Sequence, residues 1–95
     1  MRIKVKSVAS LADLLGRKEI EVELEEGSDV YGLFEALFRR FGAEVRSEVW
    51  DPKRNAPRAY IKILLNGRDF DFIRGSKTEL SDGDTVAIFP PIAGG

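Results

Sequence analysis

The chain has 95 residues, of which 43 % are apolar and 33 % charged, the composition of one soluble globular domain. A chain of this size buries roughly 60–65 % of its unfolded surface, which supports one small core and no enclosed active-site cavity. It contains neither cysteine nor histidine. Disulfides, thiol nucleophiles, thiolate or imidazole metal sites and histidine acid–base catalysis are therefore excluded.

Fifteen basic and sixteen acidic side chains leave a net charge of −1, so neither nucleic acid nor a membrane surface is an expected partner. The opening MRIKVKS lacks the apolar stretch of a signal peptide, and no run approaches the roughly 18 apolar residues of a membrane span. A cytoplasmic protein is expected.

Ile3 and Val5 alternate with Arg2, Lys4 and Lys6, the period-two pattern of a half-buried strand. Residues 7–16 carry Leu11, Leu14 and Leu15 and end at Gly16, which predicts about one helical turn or a wide loop. Ile20, Val22 and Leu24 then alternate with Glu19, Glu21 and Glu23, a second strand. Antiparallel pairing would set a basic polar face against an acidic one, each opposed pair worth about 0.2–1 kcal/mol. A solvated charged hairpin explains this better than a binding patch.

After the turn at Glu25-Glu26-Gly27, Ser28 or Asp29 is the expected N-cap of a helix. Val30, Leu33, Phe34, Leu37, Phe38 and Phe41 form its apolar stripe, with Arg39 and Arg40 in the last turn and Gly42 as terminator. The phenylalanines read as core rather than as a ligand pocket. Residues 44–50 predict a second short helix with Val45, Val49 and Trp50 inward, followed by a polar, two-proline loop over 51–58. Lys53, Arg54 and Arg58 make that loop basic, weak evidence for any particular partner.

A third strand is expected over 60–65, with Ile61, Ile63 and Leu65 on one face and Tyr60, Lys62 and Leu64 on the other. It ends at an Asn66-Gly67 turn. Residues 70–73 read as a short extended piece and 75–80 as a loop. The tight turn Ser81-Asp82-Gly83-Asp84 leads into a last strand over 85–89, with Val86 and Ile88 inward. Two hairpin strands, a crossover helix and further strands predict an α+β roll: a mixed sheet of four to five strands with one main helix on one face. The ubiquitin-like β-grasp has that order. The globular domain is expected to cover residues 1–89, and residues 90–95 an extended, flexible Gly-Gly tail.

From Thr85 onward eleven residues carry no charged side chain, although one residue in three is charged along the whole chain. Pro90 and Pro91 cannot donate ladder bonds and stiffen the exit from the sheet. Gly94 and Gly95 remove every Cβ from the tip, so that it fits a channel too narrow for other residues. Phe89 falls on the outward face of its strand, where an exposed aromatic predicts a docking contact. With no thiol or imidazole present, the least hindered reactive group is the α-carboxylate of Gly95. Activated as an acyl-adenylate, it could accept sulfide to become a thiocarboxylate, or a lysine amine to form an isopeptide.

The run from Leu80 to Gly95, with the pattern D-G-D-x-V-x-[IF]-F-P-P-[IV]-x-G-G, closely resembles the C-terminus of the MoaD/ThiS family of ubiquitin-like sulfur carriers. It is most similar to the MoaD-type small subunits of molybdopterin synthase. The likeness extends through Leu65-Asn66-Gly67 and the segment ending Leu14-Leu15-Gly16, and leaves out about residues 43–58. It implies a β-grasp fold and a non-catalytic, sulfur-donating subunit. A MoeB-type, ubiquitin-activating-like enzyme would adenylate Gly95 with ATP, and sulfur transfer would follow. The tail would then enter a MoaE-type large subunit and donate sulfur to the pterin precursor of the molybdenum or tungsten cofactor.

By this match Gly94 and Gly95 are the functional tip. Phe89, Pro90, Pro91, Ile92 and Ala93 contact the partner, and Leu64 is an inferred addition to that surface. No metal and no cofactor are expected on the chain itself, ATP belonging to the activating partner. The ending Ile-Ala-Gly-Gly is also typical of ThiS, the thiamin-pathway carrier, while the Phe-Pro-Pro stem favours the molybdopterin branch. Protein modifiers of the Urm1 or archaeal small-modifier type use the same activated carboxylate and form the alternative reading.

Overall fold

The computed structural model describes residues 1–91. Strand β1 (Arg2–Ser7) alternates as expected, Ile3 and Val5 being fully buried. It pairs antiparallel with β2 (Glu19–Glu23), setting Arg2 opposite Glu23, Lys4 opposite Glu21 and Lys6 opposite Glu19. Two ion pairs follow that register, Arg2–Glu23 at 3.7 Å and Lys6–Glu19 at 3.9 Å. Lys4 reaches diagonally to Glu19, also at 3.7 Å.

The connection between these strands is helix α1 (Ala9–Leu15), closed by Gly16 at φ +84°. It runs longer than one turn because Leu11, Ala12 and Leu15 all reach the core. Helix α2 (Val30–Phe41) starts where the Asp29 carboxylate accepts the Gly32 N–H at 2.8 Å. Val30, Leu33, Phe34, Leu37 and Phe38 are buried along the predicted stripe.

After Gly42 the chain enters α3 (Ala43–Val49), which buries Val45 and Val49. A two-stranded hairpin follows, β3 (Trp50–Asp51) and β4 (Ala56–Pro57). Then come β5 (Lys62–Leu65), β6 (Arg68–Asp69), the one-turn α4 (Phe72–Gly75) and β7 (Thr85–Phe89). The main sheet has the order β2-β1-β7-β5-β6, with β1 and β7 parallel at its centre and the other pairs antiparallel. Residues of α1, α2 and α3 share one core with its inner face. This is the expected mixed α+β β-grasp.

Three segments differ from the expectation. The predicted polar loop over 51–58 is the β3–β4 hairpin, with Ala56 and Pro57 buried. Its anchor is Trp50, whose ring centre lies 5.3 Å from Phe38, 5.5 Å from Phe72 and 5.6 Å from Phe34. The piece over 70–73 is not extended. The Asp71 carboxylate accepts N–H groups from Ile73 at 3.0 Å and Arg74 at 3.4 Å, which nucleates α4 and lets Phe72 join the aromatic cluster. The strand expected over 60–65 begins only at Lys62. A turn closed by the Ile61 N–H on the Arg58 carbonyl, 2.9 Å, holds Tyr60 outside, 57 % exposed.

Candidate functional site

Strand β7 lies between β1 and β5, and its alternation sends Val86 and Ile88 into the core. Thr85, Ala87 and Phe89 therefore stand on the outer face. Across the register Lys62 faces Phe89 and Leu64 faces Ala87 on one side, while Lys4 faces Thr85 and Lys6 faces Ala87 on the other. The outer face is thus a set of columns. Glu19, Glu21 and Glu23 stand on β2, Arg2, Lys4 and Lys6 on β1, and an uncharged column on β7.

Leu64 and Phe89 lie on the same outer face as diagonal neighbours on adjacent strands. Phe89 differs from expectation in one respect: it is half-buried rather than freely exposed. A side chain on a central strand has neighbours on both flanks even on the solvent side, and Ala87 beside it is only 8 % exposed. Lys62 is drawn toward β6 by Asp69, at 3.1 Å.

Pro90 is buried and Pro91 exposed, so the described chain surfaces at Pro91. The other predicted tail residues, Ile92, Ala93, Gly94 and Gly95, lie outside the described residues.

The opposite end of β7 is fastened by residues that the sequence marks only as turns. The Asp84 carboxylate accepts the Ser81 N–H at 2.8 Å and the Asn66 side-chain N–H at 3.0 Å. The Thr85 N–H donates to Asn66 Oδ1 at 2.9 Å, and the Arg2 N–H donates to Asp82 Oδ1 at 2.7 Å. Asn66 and Gly67 have φ of +51° and +82°, the left-handed pair of a tight hairpin turn. Asp82 and Asp84 thus tie the start of β7 to β1 and to the β5–β6 turn. The Asn-Gly and Asp-Gly-Asp signals are visible in sequence, but their mutual contact is not.

Among the described residues no three potential ligands gather to hold a metal ion, and no helix is long and apolar enough to cross a membrane. The site presents an apolar, half-open strand end with charged columns beside it.

Comparison with known proteins places the fold and the family. "Small archaeal modifier protein 3" of Haloferax volcanii is 26 % identical over 95 residues, covering all of both chains. "Putative sulfur carrier protein" of Archaeoglobus fulgidus is 30 % identical over 95 residues, again covering both completely. Among solved structures, SAMP1 of H. volcanii superposes with a TM-score of 0.82 over 100 % of both chains at 24 % identity, a likeness of fold.

"Putative molybdopterin converting factor, subunit 1" of Pyrococcus furiosus gives 0.71 at 34 % identity, over 97 % of this chain and 99 % of that one. A chain in the BexX/CysO complex of Amycolatopsis orientalis gives 0.76 at 26 % identity, over 98 % of this chain and 99 % of that one. The family model that matches residues 5–95 is that of the ThiS family. With its β-grasp sheet and this family match over residues 5–95, the chain belongs to the ThiS family of ubiquitin-like sulfur carriers and modifiers.

Proposed function

We propose that this chain is the sulfur-donating small subunit of a molybdopterin synthase, with the Gly95 carboxylate as its working group. The observation that carries the reading is the outer end of β7. There an uncharged column finishes in half-buried Phe89, diagonal to Leu64 on the neighbouring strand, and the chain surfaces two residues later at Pro91. A partner that draws a Gly-Gly tip into its own active site needs such a fixed, apolar collar at the tail's root. Phe89, Pro91 and Leu64 form that collar, buried Pro90 fixing the exit rather than contacting the partner as the sequence suggested, with Ile92 and Ala93 as the stem beyond it.

A carboxylate resists nucleophiles until activated. An ATP-using, MoeB-type partner makes the acyl-adenylate as a Gly95 oxygen attacks the α-phosphate and pyrophosphate leaves. Hydrosulfide then displaces AMP and releases a proton, giving the thiocarboxylate. This chain contributes position and access, and ATP is bound by the partner. The P. furiosus relative, named as subunit 1 of a molybdopterin converting factor, supports a MoaE-type large subunit as the acceptor.

The test is rescue of a strain lacking its molybdopterin-synthase small subunit, with Gly95-deleted protein as the control. Intact mass from the native host should show one terminal oxygen replaced by sulfur. Full activity without Gly95 would sink the reading.

The H. volcanii modifier supports a second reading, in which the activated carboxylate is passed to lysine amines. Gly-Gly remnants on cellular lysines, absent when Gly95 is deleted, would favour it.

A further inference from the structure

The hairpin that sequence marks only as a basic loop forms one wall of a groove of about 160 Å³, with α4 as the other wall. Its floor is apolar, built from Ile61, Ile63 and Phe70, and Ile73 stands 61 % exposed at its rim. Arg54 and Arg58 lie along the hairpin side. Both guanidinium groups touch backbone carbonyls alone, Arg54 at Pro57 (3.5 Å) and Arg58 at Ser47 (3.0 Å). Among the described residues neither meets a carboxylate within ion-pair distance.

The groove's own acid, Asp71, is already engaged by the N–H groups of Ile73 and Arg74 and by the Arg74 guanidinium at 3.8 Å. What remains is a trough of mixed lining, its apolar part at Ile61, Ile63 and Phe70, with two arginines on one bank that no carboxylate among the described residues neutralises. The trough also adjoins the tail's root, since Ile61 immediately precedes Lys62, which pairs with Phe89.

We propose that this groove docks an acidic, apolar surface segment of the enzyme that activates the tail, extending the Phe89 collar into a two-point grip. The inference rests on the activation of Gly95 proposed above. An apolar side chain of the partner fills the trough, and a carboxylate beside it meets Arg54 and Arg58. A nucleic-acid backbone would meet the same arginines but leave the trough empty, and a net charge of −1 opposes it. Two charges at the rim act on encounter and binding rather than on the chemical step.

The test is ATP–pyrophosphate exchange by the adenylating enzyme of the same organism, with this chain as substrate. R54E/R58E should raise KM on the order of tenfold with kcat little changed, and should flatten its dependence on salt. R54K/R58K, which keeps both charges, should stay near wild type, as should R39E on the exposed face of α2. Thermal unfolding of R54E/R58E, followed by Trp50 fluorescence, separates misfolding from lost docking. Equal KM and equal salt dependence for wild type and R54E/R58E would overturn the proposal.

If wild type supports no exchange, tail activation itself is refuted. The groove is then judged alone by titrating a blocked peptide of alternating Glu and Leu into isotope-labelled protein. Amide shifts confined to residues 54–61 and 70–73, absent with the Lys-Leu peptide, sustain the groove. No shift, or shifts with a single-stranded oligonucleotide instead, overturns it.

Discussion

Replacing Phe89 by alanine separates the two roles that the structure gives this ring. A fully buried phenylalanine loses about 3–5 kcal/mol on truncation to alanine. Phe89 is only partly exposed on the outer face, so about 2–3 kcal/mol of folding stability should be lost, a fall in Tm of roughly 8–24 °C for a chain of this size. The uncovered part of the ring is available to a partner. If the ring is a central anchor there, the same change costs about 1–4 kcal/mol of binding, roughly a fivefold to thousandfold rise in Kd.

Urea unfolding followed by Trp50 fluorescence gives the first number, because Trp50 is the single tryptophan and is 1 % exposed. Titration calorimetry with the proposed large subunit gives the second. A stability loss above about 3 kcal/mol with unchanged partner affinity would refute the reasoning, since that is the behaviour of a core ring.

Trp50→Ala should be among the most damaging single changes, about 3–5 kcal/mol by thermal unfolding, because it empties the centre of the Phe34, Phe38 and Phe72 cluster. Trp50→Phe should cost far less, since it keeps a ring there and removes a buried indole N–H that has no acceptor. Asp29→Ala removes the cap of α2 and should cost about 0.5–2 kcal/mol in urea unfolding, with Asp29→Asn nearly neutral. Glu19→Gln breaks the exposed ion pairs to Lys4 and Lys6 and should change stability by less than about 1 kcal/mol, a difference that shrinks in added salt. A larger, salt-insensitive loss would mean that these pairs do more than decorate the sheet.

Periodicity located the long elements because each has a face that must be buried. The Lys/Ile and Glu/Ile/Val alternations defined β1, β2 and their opposed register, and the Phe/Leu stripe defined α2. The short elements were less legible. A carboxylate capping two N–H groups turned residues 72–75 into helix, and that capping depends on where Asp71 points. Residues 51–58 looked like solvent-exposed loop because nothing local tells a proline or alanine that it will be covered.

The absence of cysteine and histidine removed by itself thiol and imidazole chemistry and disulfides from this protein. The uncharged Phe-Pro-Pro-Ile-Ala-Gly-Gly run likewise marked where its function should be sought. Only tertiary structure decided that Phe89 is half-covered, that Asp82, Asp84 and Asn66 tie down the start of its strand, and that Arg54 and Arg58 border an apolar groove beside the tail's root. Alternation along one strand says which face a side chain takes. How much of that face stays open depends on strands and loops distant in sequence, and on which charges they leave without partners.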